Sequence, residues 1–238
     1  MLLHHDDDGV VCIGQAAHSW ISGQLARQWV PTPPPAVCLG AEQHDIGMAE
    51  WDRRPELNPD TGYPASFLEL PLATHLALWT EAPERILSQS PYAAVLVSMH
   101  GHELFATKRE LTPEIERYLR EQERLQADLL ERLGADPGEA RVHQQLVWAM
   151  DHLALVGLIP EWAPEDNPVG DVSLHVEVAG ERHVTVDPWP FRDDEIRLAY
   201  PGRRLTETSA TEDELHARLA AAPWVEVEVR WTRLPRRA

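Results

Sequence analysis

Cysteine is scarce: the 238-residue chain has only Cys12 and Cys38, both in apolar settings ("GVVCIG", "PAVCLG") and neither in a CxxC spacing. That usage argues against a disulfide scaffold and fits a reducing cytoplasm. Long apolar runs are missing too. No stretch approaches the roughly 18 residues of a membrane-spanning helix. The start "MLLHHDDDG" lacks the basic segment and apolar run of a secretory leader. Positive charge is short as well, with 21 Lys and Arg against 39 Asp and Glu and a formal net charge of −18. Such a surface repels nucleic-acid duplexes and anionic membranes. GxGxxG, GKS/T, GxSxG and HExxH are all absent, which removes support for nucleotide-fold, serine-hydrolase and zincin chemistry. The expectation is a cytoplasmic protein without membrane or duplex partners, whose one route to a small anionic substrate is a local positive centre such as bound metal.

Hydrophobic residues make up 43% of the chain and charged residues 25%, an ordinary globular balance for one large domain or a domain with an appendage. "GVVCIG" reads as a strand leading into a helix over 15–30, and the prolines of "VPTPPPAV" end it. Further helices are predicted in "AVCLGAEQHDIGMAEW", "SFLELPLATHLALWTEA" and "PYAAVLVSMHGHELFA". "TPEIERYLREQERLQADLLERLG" is a charged helix capped by Thr112 and stopped by Gly134, and "EARVHQQLVWAMDHLALVGLI" an apolar, central one. After "PEWAPEDNPVGD" the pattern turns to alternating, β-branched segments: "VSLHVEVAG", "ERHVTVDPWPF", "IRLAYPGRRL" and "WVEVEVRWTRL", with a short helix "TEDELHARLAAA" among them. The predicted fold is mainly α, a helical bundle over residues 1–163, with a small antiparallel β-sheet over 164–238 packed on it, α+β overall.

Several ionisable side chains lie on the apolar stripes of these helices. His44, beside Asp45, shares a face with Ala41 and Met48. His75 sits among Leu72, Leu78 and Trp79, His100 among Leu96, Val97 and Leu104, and Asp151 among Val147, Trp148 and Leu155. His18 shares a side with Ile21 and Leu25. Each alone reads as a satisfied core residue. Six together in one core gain little stability, whereas shared ligation of a metal accounts for all of them. Candidate metal ligands are thus His18, His44, Asp45, His75, His100 and Asp151. His100 and His102 diverge by about 200° on a regular helix, so His100 is preferred. His143 and His152 face other directions, and "HHDDD" (His4 to Asp8) reads as a solvated turn after a short strand.

The order His18, His44-Asp45, His100, Asp151 resembles the HD-domain superfamily of metal-dependent phosphohydrolases, and "HDIG" is a common form of the doublet in its HD-GYP branch. The resemblance implies an HD-like helical bundle and one or two divalent or transition ions (Mn, Fe, Zn, Mg or Ni). One ion falls to His18, His44, Asp45 and Asp151, with Asp45 bridging to a second held by His75 and His100. It implies hydrolysis of a phosphomonoester or phosphodiester, with Asp45 and His100 at the reaction centre. Lys108 and Arg109 are candidates to grip phosphate, and Glu42 or Glu103 to orient imidazoles. HD-GYP proteins usually follow the doublet with a lysine where Met48 stands here. The same ligands serve two alternatives, a di-iron oxygenase of the HD type and a non-catalytic metal- or ligand-binding module. The whole chain, through "QAAHSWISGQLA" and "DPWPF", also resembles a bacterial family described only as a domain of unknown function.

Overall fold

Proline and small polar residues punctuate the helical part of the chain. The computed structural model describes residues 1–108 and 110–235. Helices α1 (Gln15–Gln28) and α2 (Pro35–Gln43) are separated by the proline segment, with Pro35 in the first turn of α2, where its missing N–H costs nothing. A short 3₁₀ turn (Ile46–Met48) and the five-residue α3 (Ala49–Arg53) follow. Helices α4 (Leu72–Leu87), α5 (Pro91–Ala106), α6 (Pro113–Leu133) and α7 (Pro137–Val156) complete the body. Ser90, Thr112 and Asp136 cap α5, α6 and α7, each side-chain oxygen accepting a backbone N–H of the first turn. Gly134 ends α6 in the left-handed conformation at φ +60°.

The β structure overturns the expected mainly helical bundle with a small C-terminal antiparallel sheet. One seven-stranded sheet runs β1 (Leu2–Asp6), β2 (Gly9–Ile13), β6 (Glu195–Leu205), β7 (Trp224–Arg233), β5 (His183–Asp187), β4 (Val172–Gly180) and β3 (Glu165–Val169) in spatial order. Its first two strands come from the N-terminus, β2 pairing antiparallel with β6. It is mixed, because β7 returns from α8 (Glu212–Ala221) between β6 and β5, antiparallel to the first and parallel to the second. Alternation along a strand reports which face a residue occupies but not which strand lies beside it. "LLHHD" and "EDNPV" carry no alternation at all, so β1 and β3 left little trace in the sequence.

The core lies between this sheet and α1, α2, α5 and α7. Val11 and Ile13 of β2, Val184 and Val186 of β5, and Val227 and Val229 of β7 pack with Val147, Met150 and Leu153 of α7. The other face of β2 is covered as well, Val10 and Cys12 meeting Leu215 and Leu219 of α8. Two buried aromatics tie α7 to the sheet. Tyr200 Oη donates to Ala154 O at 2.8 Å, and Trp231 Nε1 donates to Leu153 O at 3.0 Å. These bonds satisfy polar groups that burial would otherwise leave costly, and they set the roll of α7 one turn beyond Asp151. Among the described residues no helix is long and apolar enough to cross a membrane.

Candidate metal centre

The His44-Asp45 doublet lies at a break, where the sequence pattern predicted one continuous helix. α2 stops at Gln43, His44 takes the C-cap, and Asp45 adopts φ −97°, ψ 16° before the 3₁₀ turn. Within a regular helix adjacent side chains diverge by about 100°. The break brings His44 Nε2 and Asp45 Oδ2 to 3.3 Å instead. Gly47 makes the turn possible: a Cβ there would sit 2.3 Å from Leu78 O of α4.

Four elements converge on this point. His18 of α1 places Nδ1 3.2 Å from Asp45 Oδ2 and Nε2 2.9 Å from Asp151 Oδ1. His44 Nε2 lies 3.3 Å from Asp151 Oδ1, and His100 Nε2 of α5 lies 3.5 Å from Asp151 Oδ2. All five residues are buried, none more than 8% exposed. His44 Nδ1 is 2.8 Å from Ala41 O, a pure acceptor, so Nδ1 carries a proton and Nε2 is the nitrogen turned to the cluster.

Burial pulls His18 down, but Asp151 and Asp45 raise it above the ordinary histidine value. Burial acts the same way on His44, which the two carboxylates lift well above that value. Burial raises Asp45 and Asp151, and His44 and His18 reverse the effect, holding both below the usual carboxylate range. The cluster thus draws positive charge into the space between its donors. His100, by contrast, is lowered to about 4 by burial and by the charge of His44.

One donor atom each from His18, His44 and Asp151 fall within 4.8 Å of one another, a group that can hold a metal ion. His44 Nε2 is buried without a hydrogen-bond partner while it faces two carboxylate oxygens. In the neutral ring Nε2 is an acceptor aimed at acceptors, a repulsion relieved by a cation between them, either a proton, as the raised His44 value reflects, or a metal ion that takes its place. Donors bound at about 2.1 Å around a tetrahedral or octahedral ion are separated by about 3.0–3.4 Å. The 3.3 Å spacing lies within that range and the 2.9 Å spacing about 0.1 Å below it, so the residues fit a metal.

The remaining candidates divide. His75 lines the same cavity as the cluster, in edge contact with Phe105 and lowered to about 4 by burial and by the charge of Lys108. Lys108 is exposed and does not line that cavity, and Arg109 lies outside the described residues. Helix α5 continues through Gly101, which turns His102 away to meet Glu123 at 3.4 Å. Glu42 pairs with Arg27 rather than an imidazole, and Glu103 lines a neighbouring cleft.

The cavity over the cluster has a volume of about 170 Å³ and mostly apolar walls, among them Met48, Phe67, Trp79, Trp148 and Trp162. No Lys or Arg lines it among the described residues. It meets a wider cleft of about 400 Å³ at Trp148 and Glu165, residues common to both. His152, expected to face another direction, lines this cavity beside Asp151. Its Nδ1 accepts from Asn167 Nδ2 at 2.9 Å, leaving Nε2 as donor to Glu165 Oε2 at 3.0 Å. The signal for His152 was its place in the most apolar helix. Glu165 had none, since it enters from β3.

No curated protein and no solved structure matches the chain. One family model matches residues 1–207, described as a protein of unknown function (DUF3891), and the chain belongs to that family.

Proposed function

We propose that this protein is a metal-dependent phosphohydrolase that cleaves a small phosphate ester at its His/Asp centre. The observation that carries the reading is His44 Nε2, buried, unpartnered and aimed at oxygens of Asp45 and Asp151. A divalent or transition ion (Mn, Fe, Zn, Mg or Ni), one or two per chain, would be held by His18, His44 and Asp151, with Asp45 and His100 beside them. Bound there, it supplies Lewis acidity and lowers the pKa of water.

The chain's residues do the positioning. Asp45 accepts from His18 Nδ1 and fixes its ring, as the Ala41 carbonyl fixes His44. Trp79 and Trp148 flank His100, with ring centroids 5.6 Å and 5.2 Å away, and hold it against Asp151. The apolar walls keep bulk water from the reacting phosphate, which strengthens every charge interaction in the cavity. The order His18, His44-Asp45, His100, Asp151 resembles the HD-domain superfamily and supports the same chemistry.

A di-iron oxygenase is the second reading. It is favoured by His75 and His100, two imidazoles kept neutral by burial and lining one cavity as a further ligand pair.

Asp45→Ala tests the proposal. Untagged wild-type protein should carry at least one transition metal per chain and hydrolyse a generic phosphomonoester with added Mn²⁺. The variant should lose both while remaining folded, because histidines left without the carboxylate can become neutral. Equal rates and equal metal content would refute the site. Two irons with visible absorbance and no hydrolysis would select the oxygenase.

A further inference from the structure

The cavity above the cluster has walls that the metal ligands do not require. Phe67, Trp79, Trp148 and Trp162 all line it. Phe67 meets Trp162 at a centroid distance of 6.2 Å and 67° between planes, a corner made of two aromatic rings. Trp79 and Trp148 flank His100, Trp148 also reaching the junction with the wider cleft. At the mouth stands Glu165, anchored by His152 Nε2 at 3.0 Å. The wider cleft beyond adds Glu103, Glu123 and Asp166 against Arg141.

Aromatic faces, a carboxylate at the rim and no opposing Lys or Arg among the described lining residues are poor provision for a polyanion. They suit an organic cation. The negative faces of aromatic rings attract ammonium groups, and quaternary ammonium ions gain most because their methyl groups tolerate a dry site. A cation standing alone in this cavity would be repelled by a metal ion at the His/Asp centre. A zwitterion removes the conflict, with its phosphoryl oxygens toward that centre and its ammonium toward Trp162 and Glu165.

We propose that this site takes the phosphate ester of an amino alcohol bearing an alkylated ammonium group. The proposal rests on the metal-dependent hydrolase reading for the phosphate half. The ammonium half stands on the aromatic corner and Glu165.

Two pairs of probes separate these parts. Choline and its uncharged isostere 3,3-dimethylbutanol are titrated against tryptophan fluorescence of the protein as purified, with inorganic phosphate present to offset the charge of a metal at the His/Asp centre. Choline should bind about thirtyfold tighter, the scale of one cation–π contact with a desolvated ring. Trp162→Leu and Glu165→Gln should each shrink that difference. Equal affinity for the two probes, or no saturable binding of choline, overturns the proposal. Phosphocholine and 3,3-dimethylbutyl phosphate are then compared as substrates with Mn²⁺, the first expected to show the higher kcat/KM. Selective choline binding with neither ester hydrolysed would sustain the ammonium subsite and overturn the hydrolase reading. Equal hydrolysis of both esters without selective binding would do the reverse.

Discussion

Gly47→Ala tests whether the turn after Asp45 is what assembles the centre. The added Cβ would lie 2.3 Å from Leu78 O and 3.0 Å from both Leu78 C and Ala82 Cβ. Ordinary contact begins near 3.4 Å, so the turn and α4 must separate by about 1 Å. Neither side yields easily, since the nearest atom is backbone in the middle of a helix. Overpacking of this kind costs roughly 2 kcal/mol, which lowers Tm by about 4–8 °C in a chain of this size. The site should suffer more than the fold. Asp45 lies two residues away, with its Oδ2 3.2 Å from His18 and 3.3 Å from His44. Metal ligands tolerate displacements of only about 0.2 Å, so a shift several times larger should release the ion. Two other glycines serve as controls. Gly134→Ala meets nothing within 4 Å but must hold φ +60°, and should cost about 1 kcal/mol with metal content unchanged. Gly180→Ala enters open space and should leave both readings alone. The assays are urea unfolding and elemental analysis of the three variants beside wild type. A Gly47→Ala protein with wild-type stability and full metal would refute the reasoning.

Chelation offers an independent check. An ion present at 100 times its dissociation constant stabilises the folded state by about 2.7 kcal/mol, so its removal should lower Tm by roughly 5–11 °C. An unchanged melting curve after verified metal removal would place the ions outside the core. In metal-free protein His75 should also contribute to the acid limb of stability. Its folded value near 4 lies below the ordinary 6.5, so the unfolded chain binds more protons between those values. Stability linked to His75 is complete above about pH 6.5 and is lost as the pH falls toward 4. His75→Gln should flatten that segment of a stability-against-pH curve, His100 supplying the slope that remains. An unaltered slope would mean that His75 is not desolvated by the cavity wall.

Much of the helical body was legible because its signals are local. The predicted helix of residues 112–134 carries both its caps, and the segment over 139–159 is apolar enough to declare itself central. Apolar stripes also picked out His18, His44, His100 and Asp151, since a stripe reports which side chains turn inward. Five predicted strand segments coincide with β2, β4, β5, β6 and β7. Local pattern failed where neighbours decide the outcome. β1 and β3 form because β2 and β4 offer them edges to pair with, and nothing within "LLHHD" or "EDNPV" announces that.

What the sequence determined by itself was a set of inward-facing histidines and aspartates without any competing motif. Only the tertiary structure decided how they meet. The chain leaves helical geometry at His44-Asp45 because Gly47 must pass against α4, a contact between segments some thirty residues apart. The roll of Asp151 toward three imidazoles follows from Tyr200 and Trp231 gripping carbonyls of α7 from strands still further along the chain. His75 and His152 both line the cavity, outside the group of donors formed by His18, His44 and Asp151. Both outcomes depend on which neighbours close the space around a helix. Periodicity fixes the angle of a side chain about its own axis, and the packing of other elements fixes what stands opposite it.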